Sequence, residues 1–135
     1  MRVGVLIASP VVLEPVRRPM PLFNLNVVAI EALRAAIADT EFRPWYLDQA
    51  RQSKALIYAA CQRLGLRSWT SAANFVLVDG GARAKEIVAG MQARGVFVRD
   101  RTADPSCPNC IRITAGVVEH TQVAVDALEA ACAAR

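Results

Sequence analysis

Near its end the sequence reads Ile111-Arg112-Ile113-Thr114, an alternation that sends both isoleucines to one side of an extended strand and the arginine to the other. A strand of this kind calls for a sheet with one face buried under other elements and a second face left for polar groups, which restricts the chain to a layered fold. Helical periodicity supplies the covering layer. After Ala115-Gly116, the residues Val118, Thr121, Val125, Leu128 and Cys132 recur at spacings of three and four and mark an amphipathic closing helix.

The two periods alternate along the rest of the chain. Between Asn24 and Ala38, Val27, Ile30, Leu33, Ala35 and Ile37 fit a helix, and Asp39-Thr40 gives a break and a new start. Tyr46, Ala50, Ile57, Cys61 and Leu64 define a longer helix, with Pro44 in its first turn and Gly65 at its C-terminal cap. Arg67 to Thr70 and Phe75 to Val78 read as strands around Ser71-Ala72-Ala73-Asn74. Asp79-Gly80-Gly81 leads into a helix over Ala82 to Arg94 that Gly95 ends, Val96 to Asp100 reads as a strand, and a polar loop runs from Arg101 to Asn109. From Asn24 onward the predicted order is α-α-β-β-α-β-β-α, an α+β two-layer sandwich. Ahead of it, Val3 to Ala8 reads as a buried strand ended by Ser9-Pro10, and Val11 to Arg18 as a short helix stopped by Pro19 and Pro21. That first strand is apolar on both faces and has no evident parallel partner among the later strands, so it is expected to dock on something outside this stretch.

Composition narrows the functional classes. At 135 residues and 54% hydrophobic, the chain suffices for one core. Its longest apolar runs, Val3 to Ala8 and Val27 to Ile30, fall far short of the roughly 18 residues of a membrane span, and no small-x-small cleavage site follows the first. The net charge of +4 sets 14 arginines and 2 lysines against 12 acidic residues, and the basic ones are scattered without a block or interleaved aromatics, which argues against a nucleic-acid surface. Cys107-Pro108-Asn109-Cys110 has a redox or half-zinc spacing. A zinc site needs about four ligands, yet His120 is the only histidine, while Cys61 and Cys132 sit in helical patterns. A thioredoxin-like couple precedes a helix, whereas Cys110 leads into a strand. Reduced thiols in a cytoplasmic protein, with no metal, are the expectation.

Taken in order and spacing, Arg2-Val3-Gly4, Asn24-Leu25-Asn26, Ser71-Ala72-Ala73-Asn74-Phe75-Val76-Leu77, Gly95-Val96-Phe97-Val98-Arg99-Asp100 and Cys110-Ile111-Arg112-Ile113-Thr114-Ala115-Gly116 resemble the C-terminal part of histidinol-phosphate aminotransferases. These are pyridoxal-phosphate enzymes of the class I/II aminotransferase group. The resemblance implies that residues 1–23 are a remnant of the large cofactor-binding domain and residues 24–135 the small domain of a fold type I transferase. It also implies that Met1-Arg2-Val3-Gly4 is the end of the motif that carries the Schiff-base lysine, which would lie upstream of residue 1. The isolated chain is then expected to hold no cofactor covalently and to be inactive, with no catalytic residue of its own. Lys54, mid-helix, and Lys85 lack the motif's context and read as solvent-facing lysines.

By the same resemblance Arg2 contacts the cofactor phosphate, while Arg112 and Arg99 bind the anionic end of the substrate. A planar guanidinium suits both tasks, because it grips phosphate or carboxylate through paired, charge-assisted hydrogen bonds. The implied reaction moves an amino group between histidinol phosphate, or a related amino acid, and 2-oxoglutarate. The implied partners are such a small phosphorylated amino alcohol or amino acid, and a large-domain chain or a second copy in a homodimer. No nucleic acid or membrane partner is expected. His120 reads as solvent-facing, and Trp45 and Trp69 as packing between helices and sheet. A non-catalytic anion-binding or interaction domain that kept Arg99 and Arg112 is the alternative, and a thiol redox protein using Cys107 and Cys110 is a third reading.

Overall fold

The sheet announced by Ile111, Arg112 and Ile113 is present in a computed structural model, which describes residues 3–21 and 25–134. Two compact units divide the chain, residues 1–43 and 44–135. In the first lie α1 (Pro10–Arg17) and α2 (Val27–Ala38). The Asn26 side chain starts α2 by accepting hydrogen bonds from the N–H groups of Val28 (2.8 Å) and Ala29 (3.4 Å). Its apolar stripe is largely uncovered: Val27 and Ile37 are 72% and 73% exposed, and Ala29 alone is buried.

Val3 to Ala8 is not a strand. The residues have no regular structure, and Val5, Leu6 and Ile7 are exposed. An apolar run becomes a strand only beside a chain that completes its backbone hydrogen bonds, and no described segment does so.

Helix α3 (Phe42–Leu64) starts under Asp39, whose Oδ1 accepts from the N–H groups of Glu41 and Phe42. It ends at Gly65, where φ is +68° and the Leu66 N–H reaches back to the Cys61 carbonyl at 2.9 Å. The second unit continues with β1 (Arg67–Trp69), β2 (Phe75–Asp79), a 3-10 turn (Gly81–Arg83), α4 (Ala84–Gln92), β3 (Arg99–Arg101), β4 (Cys110–Thr114) and α5 (Val118–Ala133). The four strands form one antiparallel sheet in the order β1-β2-β4-β3.

Alternation along β2 and β4 builds the core. Val76, Val78, Ile111 and Ile113 form one face and are buried with Ile57 and Cys61 of α3, Ile87 and Met91 of α4, and Val125 and Leu128 of α5. Two contacts fix the helices closely. Gly90 leaves room for Ala131, since a Cβ there would sit 2.9 Å from the alanine methyl. From α3, the buried Ser53 hydroxyl donates to the Gly116 carbonyl at 2.9 Å, and Gln49 Oε1 accepts the Val118 N–H at 3.0 Å, capping α5 from a neighbouring helix.

Strand β3 lies further along the chain than its hydrophobic pattern predicts. Val96-Phe97-Val98 is outside the ladder, which is made by Arg99, Asp100 and Arg101. At a sheet edge the backbone register decides the pairing, and side chains that face water leave no apolar signature.

Candidate anion-binding site on the open sheet face

Residues paired across an antiparallel ladder share a face. Arg112 stands opposite Arg99 on one side and Leu77 on the other, so all three point away from the helices, together with Phe75, Thr114, Asp79, Arg67, Trp69 and Arg101. The two arginines singled out in the sequence are therefore brought side by side. They line a depression of about 500 Å³ with Phe97, Val98, Asp100 and Thr114.

Arg112 is held from below. Its guanidinium carbon lies 5.0 Å from the centre of the Phe75 ring, a cation-π contact made diagonally across the ladder. Its Nε is buried and has no hydrogen-bond partner. A buried donor without an acceptor is costly, and a charged one more so.

The neighbouring charged groups have partners of their own, and ionised Asp100 lines the same depression. Arg101 is engaged with Asp104, and the Arg67 guanidinium lies over the Trp69 ring at 4.8 Å. Asp100 accepts the Thr102 N–H at 2.8 Å, and the backbone and hydroxyl of Thr102 hold its carboxyl below the ordinary carboxylate range. Among the described residues no ion pair joins an acid to Arg99 or Arg112. Two like charges facing each other repel unless an anion lies between them.

Trp69 does not pack between helices and sheet. It sits on the open face, 37% exposed, because Ser68 takes the inward position of β1; Trp45 is also exposed. Lys54 is not simply solvated either: half-buried, its ammonium donates to the Ser71 carbonyl at 2.8 Å and pins the turn between β1 and β2. His120 is exposed. Phe75 and Thr114 were not singled out in the sequence, although the period of two that pairs Phe75 with Leu77 and Arg112 with Thr114 carried that information. Arg2 lies outside the described residues.

A model of the family "Aminotransferase class I and II" matches residues 1–128. The chain belongs to that aminotransferase family. It is 38% identical to a histidinol-phosphate aminotransferase of Symbiobacterium thermophilum over 96% of its own length and 36% of the relative's. A histidinol-phosphate aminotransferase of a Geobacillus species is 35% identical over 95% and 35%. A crystal structure from Burkholderia pseudomallei, of a protein provisionally assigned as an aminotransferase, superposes with a TM-score of 0.73 at 26% identity, covering 87% of this chain and 36% of that one. The chain thus spans about a third of the length of the aminotransferases it matches.

The described residues of this aminotransferase chain do not fit a complete pyridoxal-phosphate site. A Schiff base requires an amine in the site, but neither lysine lines the depression of Arg99 and Arg112: Lys54 donates to the Ser71 carbonyl beside a separate depression with Tyr46 and Asn74, and Lys85 is exposed on α4. No helix is long and apolar enough to cross a membrane, and no group of three or more metal-binding side chains occurs among the described residues.

Proposed function

We propose that these residues form the substrate-anion-binding part of a pyridoxal-phosphate aminotransferase of the histidinol-phosphate type. One observation carries the reading: Arg99 and Arg112 face each other in register, and the buried Arg112 Nε lacks an acceptor. A phosphate monoester placed between them accepts from both guanidinium groups and relieves their repulsion. Phe75 keeps the Arg112 plane oriented, and Thr114 offers a hydroxyl at the same depression.

In this reading residues 24–135 correspond to the small domain and residues 1–23 to part of the large one. The substrate is histidinol phosphate or a related amino acid, with 2-oxoglutarate as acceptor. Arg2 serves the cofactor phosphate, the Schiff-base lysine comes from outside these 135 residues, and the isolated chain binds anions without turning over. The name shared by the relatives from Symbiobacterium and Geobacillus supports the phosphate ester over a plain carboxylate.

Titration with histidinol phosphate, followed by NMR, tests the site: shifts centred on Arg99, Arg112 and Phe75 are expected, and their absence overturns it. Borohydride reduction after incubation with pyridoxal phosphate tests the missing amine. Stoichiometric label on Lys54 or Lys85 would contradict it.

A further inference from the structure

At the other end of the β3–β4 hairpin from the site, the open face carries a second feature. Residues 107–110 form a β-turn: the Cys110 N–H donates to the Cys107 carbonyl at 3.2 Å, Pro108 fixes the second position, and Asn109 takes the left-handed conformation at φ +60°. A turn of this kind brings its first and last Cα atoms within about 7 Å, the range a disulfide bridges. Both cysteines are free thiols and line one depression of about 380 Å³ with Trp69, Leu77, Asp79, Ser106 and Pro108.

The two thiols differ in a way that assigns them different tasks. Cys107 is partly exposed and lies near the Arg101 guanidinium, which is paired with Asp104. Cys110 is buried at the start of β4, on the same depression as Cys107. Burial, with the negative groups near it, pushes the Cys110 thiol above its ordinary range. One sulfur is thus accessible and beside a cation; the other is hidden behind it.

We propose that Cys107 and Cys110 are a redox-active pair that low-molecular-weight disulfides of the glutathione type oxidise, with Cys107 the entry thiol and Cys110 the resolving one. In the first exchange the Cys107 sulfur, losing its proton, attacks one sulfur of the small disulfide; a mixed disulfide forms and one small thiol leaves with that proton. In the second, the Cys110 sulfur attacks Cys107, the intrachain disulfide closes, and the second small thiol departs with the Cys110 proton. Two protein thiols and one small disulfide become one protein disulfide and two small thiols. Arg101 stabilises the negative charge that builds on Cys107 during the first exchange. The product ties together the two ends of the turn that feeds the chain into β4.

The test is thiol mapping of the full chain in glutathione buffers of graded ratio, with acid quenching, alkylation in denaturant and peptide mass spectrometry. The expected result is a Cys107–Cys110 disulfide that closes reversibly while Cys61 and Cys132 stay alkylatable. In Cys110→Ala a persistent glutathione adduct on Cys107 is expected, in Cys107→Ala neither adduct nor disulfide, and in Arg101→Gln slower exchange at Cys107. Full alkylation of both thiols in oxidised glutathione overturns the proposal, as does an unresolved adduct on Cys107 in the unmodified chain. The unmodified chain decides by itself if a variant does not fold.

Discussion

Arg99 and Arg112 face each other directly across the β3–β4 ladder with no acid among the described residues paired to either, and the ring of Phe75 sits 5.0 Å beneath the Arg112 guanidinium. An arrangement of this kind is unfavourable by itself and favourable around a dianion, so its energetics should be readable by removing one member at a time.

Replacing Arg112 by Ala should weaken phosphate-ester binding by roughly tenfold to a hundredfold, the equivalent of a charge-assisted hydrogen bond worth about 1.5–3 kcal/mol. Arg112→Lys should recover only part of the loss, because an ammonium cannot make the paired contact. Calorimetric titration with histidinol phosphate measures both, and equal affinity in the Ala variant would remove Arg112 from the site.

Gly80→Ala should destabilise the second unit by about 1–3 kcal/mol, as overpacking does. Its Cβ would lie 2.7 Å from the Ala84 Cα and 2.9 Å from the Ala84 Cβ, and the backbone there is fixed by the 3-10 turn that leads into α4. A urea melt that matches the unmodified chain would show that the turn can open at no cost.

Ser53→Ala and Gln49→Ala each remove one hydrogen bond that ties α3 to the start of α5, and each should cost about 1 kcal/mol. Hydrogen exchange gives the sharper readout: the Val118 amide should exchange faster in Gln49→Ala while amides of β2 keep their protection.

Stability should fall on the alkaline side. Burial, with Cys132 nearby, raises the Cys61 thiol above its ordinary value, so folded and unfolded chains are both protonated below about pH 8.5, where the contribution is fully present. As pH rises past that point the unfolded chain loses the proton first, and stability declines until the folded value is passed. Cys61→Ala should be less stable throughout yet show a flatter alkaline limb in urea midpoints. An unchanged slope would assign the decline to other groups.

The sequence carried the covered half of the fold more clearly than the open half. Ala50, Ile57 and Cys61 on α3 and Thr121, Val125 and Leu128 on α5 are buried, as their spacing implies, because burial imposes the helical period. Arg112 was legible because it interrupts isoleucines. The residues that complete its surroundings were not, since Phe75 reaches the guanidinium through a register that no local pattern encodes. Val96-Phe97-Val98 misled for the opposite reason: Phe97 is 78% exposed, so its hydrophobicity reports a side chain at the rim of the anion depression and not a strand interior.

The sheet is bordered by its two shortest strands, β1 and β3, of three residues each, with Arg67 on the outward side of β1 and Arg99 and Arg101 on that of β3. Such borders offer little length for a foreign strand to pair with, and their charges repel a second copy approaching edge to edge. Concentrated solutions of the chain should therefore resist β-type aggregation at this sheet, leaving its open face accessible to small anions.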